Sequence, residues 1–269
     1  MKALFLDIDG VLQPIGSQER FDHLLELPAL LPKLQERISN GFDLYENCCE
    51  ESWRPGYEYD RFKVFAYDVA AVLWDWEPEA VTLLHQVLEE TGAGIVLSSD
   101  WRDKGFDECQ ALPDLQGLGK YFYGMIYCDP MNPDYGAYYP FEEQMEMHEQ
   151  WDDCRAALWD GLSRIFPEIK REGLSRPARL DLRTVEILEY LDRHSEITAY
   201  AAVDDRFLKV GLGAHFVHSN DRHLTPSQAQ QLKEALASED GPYFLPSELK
   251  TREFSDWRAR CVDHCKYRM

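Results

Sequence analysis

Three short apolar runs in this chain stop abruptly at polar residues: Ala3-Leu4-Phe5-Leu6 at Asp7, Ile95-Val96-Leu97 at Ser98-Ser99, and Tyr200-Ala201-Ala202-Val203 at Asp204-Asp205. A run that is apolar at every position suits a strand buried on both faces of a parallel sheet, not a half-solvated strand with alternating pattern. Parallel strands need crossover connections, usually helical. Pro78 suits a first helical position and Glu79 its positive end, and Ala80, Leu84, Val87 and Leu88 recur at helical spacing until Gly92 or Gly94. A further helix is expected after Trp101-Arg102. Ile187, Val185, Leu188 and Leu191 form the apolar face of another, with Asp181 as a candidate N-cap. Thr225-Pro226-Ser227-Gln228 combines a capping box with Pro at the first helical position, and Ala229, Leu232 and Leu236 continue that face. Tyr121 to Tyr127 is aromatic and β-branched enough for a strand, and Ala214 to Val217 suggests a last one. The expected fold class is α/β: a Rossmann-like parallel sheet of about five strands.

Two stretches interrupt this pattern. Residues 13–75 lack a sustained period and hold Pro28, Pro32, Gly41, Pro55 and Gly56, which reads as an inserted set of short helices and loops. Residues 129–177 mix a loop rich in Pro, Gly and Tyr with a helical pattern around Trp151 to Phe166. The expected organisation is a core of 1–12, 76–128 and 178–240, two cap-like insertions at 13–75 and 129–177, and a tail, 241–269, packed on the core.

Composition narrows the functional classes. Of 269 residues, 45% are hydrophobic and 13% aromatic, which are globular values, and no apolar run approaches the length needed to cross a bilayer. Asp7 and Asp9 fall where a signal peptide would stay apolar. Seven cysteines, an odd number and without paired CxxC spacings, fit a reduced, cytoplasmic setting. The formal net charge of -21 opposes extended contact with a nucleic-acid backbone, where affinity comes from cations that displace counterions. Exposed charges are screened beyond about 8 Å at physiological salt, so a local cationic pocket and the processing of a nucleic-acid end remain compatible with it.

In a parallel open sheet the C-terminal strand ends lie along one edge, where ligands collect. Asp7-Ile8-Asp9 would aim Asp7 into that site and set Asp9 on the first turn beyond, with Gly10 allowing the tight backbone. As a nucleophile Asp7 forms an acyl phosphate, while Asp9 protonates the leaving oxygen and later deprotonates water. Carboxylates alone repel phosphate, so a hard divalent cation is needed between them. Mg2+ fits, with Asp7, Asp9, Asp204 and Asp205 as candidate ligands and the choice between the last two open. Ser98 or Ser99, and Gly10, are candidates for phosphate contact, Ser98 preferred because it directly follows the apolar run. Arg183, heading its helix, adds a forked cation, with Lys170, Arg171, Arg176 and Arg179 as competitors. Trp101 and Arg102 are possible substrate contacts.

The order Asp7-Ile8-Asp9-Gly10-Val11-Leu12, then Ser98, then a basic residue at the head of a helix, then Asp204-Asp205, resembles the four motifs of the haloacid dehalogenase (HAD) superfamily. Ser98-Ser99-Asp100-Trp101-Arg102, Arg183-Thr184-Val185-Glu186-Ile187 and His223-Leu224-Thr225 look, more narrowly, like the small HAD domains associated with RNA-repair proteins. The third motif is usually Lys and is Arg183 here, and Asp100 stands where a small hydroxyl residue is expected. The resemblance implies a Rossmann-like core, magnesium, an Asp nucleophile and an Asp acid/base. The expected activity is magnesium-dependent hydrolysis of a small phosphomonoester through an aspartyl-phosphate. Phosphate-end processing of nucleic acid, phosphotransfer, and a non-catalytic module that binds a phosphorylated ligand are the alternatives.

Overall fold

The computed structural model describes residues 1–48, 65–103, 106–126, 182–219 and 223–238. Five strands, Lys2–Leu6 (β1), Ala93–Leu97 (β2), Phe122–Met125 (β3), Ala199–Asp204 (β4) and Phe216–His218 (β5), form one sheet in the order β3-β2-β1-β4-β5. Every pairing is parallel. This is the Rossmann-like α/β fold that the unbroken apolar runs called for. β3 starts one residue later than the aromatic pattern suggested, because Gly119–Tyr121 winds into a 3-10 turn. β5 likewise follows a 3-10 turn, Gly213–His215, which takes up Ala214 and places His215, not an aliphatic residue, against Tyr200.

Helix boundaries follow the local signals. The Pro78–Thr91 helix begins at its proline and ends where Gly92 turns left-handed, at φ 69°, with its N–H on the Leu88 carbonyl. The Pro226–Ala237 helix has the full capping box at Thr225 and Gln228. A salt bridge from Lys233 to Glu90 (2.8 Å) joins the two.

One face of the sheet, carrying Leu4, Leu6, Ile95, Leu97, Ala201 and Val203, packs into a continuous apolar cluster with Leu84, Leu88, Leu232 and Leu236 of those helices. Leu27, Leu31, Leu34, Leu44, Val69 and Val72 belong to the same cluster. The described part of 13–75 is therefore built into the core that buries β1. Polar ties reinforce it. Buried Asp114 accepts hydrogen bonds from the backbone N–H and the hydroxyl of Ser39, both at 2.7 Å, and Arg37 donates to the Leu115 carbonyl at 2.7 Å. The opposite face of the sheet carries Phe5 and Tyr200, edge to face at 6.0 Å, with Val96 and Ala202, all buried.

The chain divides into two compact units, Met1–Ile126 with Glu196–Pro242, and Tyr127–Ser195 with Tyr243–Met269. The sheet lies entirely in the first. The second contains the Leu182–Arg193 helix, on which Ile187, Leu188 and Leu191 are buried as its periodicity suggested. The expectations for 129–177, for Asp181 and for 241–269 lie outside the described residues. No described helix is long and apolar enough to cross a membrane.

Asp114 offers a direct test of how the 13–75 segment is held. Asp114→Ala removes both bonds to Ser39 and is expected to cost about 1.5–3 kcal/mol, the range for hydrogen bonds to a charged group. Urea unfolding followed by circular dichroism measures it, and a loss below about 0.5 kcal/mol would mean that the apolar cluster alone holds the segment.

Candidate active site

Asp7 extends β1 by one residue, its N–H on the Val203 carbonyl at 3.0 Å, and Ser98 extends β2 likewise, its N–H on the Leu6 carbonyl at 2.8 Å. Leu6 is aligned with Leu97 on one side and with Val203 on the other. One step along, Asp7, Ser98 and Asp204 therefore make a row across three strands. Side chains alternate faces along a strand. Since Leu6, Leu97 and Val203 enter the apolar cluster, the three polar side chains point the other way. β1 is also where the strand order reverses, with β2 and β3 to one side and β4 and β5 to the other. Ligands in open α/β sheets bind at the C-terminal edge of such a switch point.

Beyond Asp7 the chain turns sharply, with the N–H groups of Val11, Leu12 and Gln13 all returning to the Ile8 carbonyl at 2.8–3.1 Å. Gly10 has φ 73°, and a Cβ there would lie 2.6 Å from the Asp205 Cβ. Glycine is thus required twice, for the left-handed backbone and for the close approach of Asp205. The Ser219 hydroxyl donates to the Gly10 carbonyl from the far side. Sequence reasoning expected the turn at Gly10; that Asp205 packs on it is a tertiary fact.

Asp7, Asp204 and Asp205 each offer a carboxylate oxygen, and these lie within 4.8 Å of one another. Asp7 is 4% exposed and Asp204 fully buried. Like charges this close and this poorly hydrated call for a cation, and all-oxygen donors with room left for phosphate and water suit magnesium. The residues present fit such an ion. The carboxylate of Asp9 is outside the group. Beside it Ser98 is buried, and its hydroxyl has no hydrogen-bond partner among the described residues, an orphaned donor on the same row as Asp7. A phosphate oxygen would satisfy it. Ser99 has a different role, its Oγ accepting from the Trp101 N–H at 3.4 Å.

Asp9 sits in a separate environment. Its Oδ1 accepts from Gln13 Nε2 and its Oδ2 from the Trp101 indole N–H, each at 3.1 Å. Burial raises its carboxyl above the ordinary aspartate value. The Trp101 bond and the positive charge of Arg20 oppose that rise, while the nearby charges of Asp100 and Asp205 add to it. Two neighbouring carboxyls thus differ in surroundings, Asp9 biased toward protonation by burial and Asp7 gathered with Asp204 and Asp205.

Trp101 and Arg102, expected as possible substrate contacts, are both buried and bonded within the chain. Trp101 holds Asp9 and packs at 6.0 Å against Trp76. Arg102 Nη1 donates to the carbonyls of Ser98 (2.8 Å) and Ser99 (2.9 Å), bracing the turn that presents Ser98. Arg183 is buried on the Leu182–Arg193 helix, in the second unit, so its expected phosphate contact rests on the sequence resemblance. Sequence reasoning missed Gln13, and it missed Arg20, which pairs with buried Asp75 at 2.7 Å. Gln13 follows the Asp-x-Asp-Gly motif closely enough to have been suspected. Nothing in the spacing joins positions 20 and 75.

The family model described as the HAD domain in Swiss Army Knife RNA repair proteins matches residues 3–229 of this chain. No curated protein and no solved structure matches it.

The double constraint on Gly10 has a measurable consequence. Gly10→Ala forces a left-handed alanine, at about 1–3 kcal/mol, and drives its methyl into Asp205. The thermal midpoint is expected to fall by roughly 3–10 °C, and the affinity for magnesium, measured by titration calorimetry, to fall with it. An unchanged midpoint would mean that the turn relaxes freely.

Proposed function

This chain belongs to the HAD domain family of Swiss Army Knife RNA repair proteins, and on that premise we propose that it hydrolyses a phosphomonoester, with Asp7 as nucleophile and Asp9 as acid and base. The observation that carries this reading is the row of Asp7, Ser98 and Asp204 at the switch point, completed by Asp205 into a three-carboxylate group.

A carboxylate oxygen of Asp7 attacks phosphorus as the bond to the leaving oxygen breaks. Asp9, whose burial favours its protonated form, delivers its proton to that oxygen, so the alcohol departs neutral. Asp9 is then a carboxylate able to take a proton from water, whose oxygen attacks phosphorus and releases Asp7 and inorganic phosphate. Asp7, Asp204 and Asp205 would hold a magnesium ion, which when bound offsets the repulsion between carboxylate and phosphate. The Ser98 hydroxyl donates to a non-bridging phosphoryl oxygen, and Arg102 keeps the Ser98 backbone in place for it. The indole of Trp101 fixes the orientation of Asp9. Positioning and charge stabilisation of this kind are most of what phosphoryl transfer needs from a protein.

The family description favours one substrate class as a second reading, a monoester at the end of an RNA strand. The net charge of -21 disfavours a long nucleic-acid groove, but a strand end need present only one or two phosphates.

Phosphate release over a panel of phosphomonoesters is expected to require both magnesium and Asp7. Asp7→Asn should fall to background, and Asp9→Asn should lose roughly 10²–10⁴-fold in kcat. Full activity in Asp7→Asn, or with EDTA in excess, would overturn the assignment. For the second reading, phosphorylated oligoribonucleotides should outcompete mononucleotides in the same assay; equal competition would favour a small-molecule substrate.

A further inference from the structure

Arg20 takes no part in the mechanism above, yet it is held as a working side chain would be. Its Nε lies 2.7 Å from Asp75 Oδ2, and the Asp75 carboxylate is fully buried while the Arg20 side chain is 17% exposed. The other oxygen of Asp75 accepts from the Arg20 backbone N–H at 3.0 Å and from the Ser17 hydroxyl at 3.3 Å. One buried acid thus fixes both the loop that follows the Asp7 turn and the guanidinium it carries. Nε and Oδ2 are in contact without the alignment of a hydrogen bond, so the pairing is coulombic and leaves the fork-shaped donor set unspent. The guanidinium also lies 5.5 Å from the Phe21 ring centroid. Its terminal nitrogens make no hydrogen bond among the described residues.

Where this cation sits follows from its neighbours. Asp75 is succeeded by Trp76, whose ring packs on Trp101, whose indole in turn holds Asp9. Asp9 serves the leaving oxygen, and the tether to Asp75 joins Arg20 to the Trp76–Trp101 pair on the Asp9 side of the site. A forked donor with unspent N–H groups there matches an anionic oxygen carried by the departing alcohol.

We propose that Arg20 is a substrate-positioning residue that binds a second phosphate on the leaving group, so that the preferred substrates are monoesters whose alcohol already carries a phosphodiester, as at the phosphorylated end of an oligonucleotide. This rests on the phosphomonoesterase reading of the same site. It also explains how so acidic a chain accepts such a substrate: one fixed cation, partly shielded from solvent, serves a single neighbouring phosphate, while the rest of the surface repels a longer strand.

The test compares terminally phosphorylated dinucleotides, at the 5′ and the 3′ end, with p-nitrophenyl phosphate. Because Arg20→Gln alone would strand the buried charge of Asp75, the variant used is Arg20→Gln with Asp75→Asn, with Arg20→Lys beside it. The preference for dinucleotide over p-nitrophenyl phosphate, as a ratio of kcat/KM values, is expected to fall roughly ten- to a hundredfold in the double variant, chiefly through KM, and to recover partly in Arg20→Lys. An unchanged ratio would sink the proposal, since a purely structural tether lowers both substrates alike. Binding of the same dinucleotides to Asp7→Asn, with and without the double change, is read by calorimetry and needs no turnover. If no substrate is hydrolysed by the wild type but this binding still depends on Arg20, the phosphatase reading fails and the Arg20 site stands. Hydrolysis and binding without that dependence would leave the phosphatase reading intact and remove the Arg20 site.

Discussion

The hydrogen bonds from Asp7 N–H to the Val203 carbonyl and from Ser98 N–H to the Leu6 carbonyl fix the ends of β1, β2 and β4 in one register, and the site follows from that alignment. A slip of one residue in either pairing would turn every side chain to the opposite face. Depending on its direction, the slip would set Asp7 beside Leu97 or Ser99 in place of Ser98, or beside Val203 or Asp205 in place of Asp204, and the row would be lost. Slippage is resisted by the apolar face, where Leu4, Leu6, Ile95, Leu97, Ala201 and Val203 are all sealed in the cluster beneath the sheet. The same alternation that fills the core thus assembles the polar row above it.

Gathering Asp7, Asp204 and Asp205 so closely opposes folding, because the buried carboxylates of Asp7 and Asp204 lose hydration and all three repel one another. A backbone group offsets part of this, the Arg206 N–H donating to Asp204 Oδ1 at 2.8 Å. The His218 ring bonds to the backbone carbonyl of Asp205 at 2.8 Å and so fixes the chain there. Gly10 lets Asp205 close in from behind. A site built with unbalanced negative charge is one that gains stability when a cation binds it, which couples metal binding to the order of the strand ends.

Asp9 shows how two carboxylates two residues apart come to differ. Asp7 remains on the strand axis, in the three-carboxylate group, whereas Asp9 lies on the turn, where burial outweighs the hydrogen bond from Trp101 and the pull of Arg20. The aromatic pair Trp76 and Trp101 serves both purposes, packing the core beneath the turn and supplying the single indole donor above it. The described part of 13–75 contributes the Arg20–Asp75 pair next to Trp76 in the chain, so a segment legible only as an interruption of the pattern furnishes a fixed charge.

Periodicity and capping sufficed for much of this protein. Five strands, the Pro78–Thr91 and Pro226–Ala237 helices, and the convergence of Asp7, Ser98 and Asp204-Asp205 on one edge could be read directly, since buried parallel strands leave unbroken apolar runs and the sheet topology brings their ends together. Those signals are local, one element at a time. What only the tertiary structure decided is which side chains meet across elements: that Trp101 holds Asp9, that Arg102 braces Ser98, that Gly10 is small because Asp205 lies against it, and that Arg20 is fixed by Asp75. No run or spacing encodes such contacts, because each depends on where two distant stretches of backbone come to rest once the shared apolar cluster has closed around them.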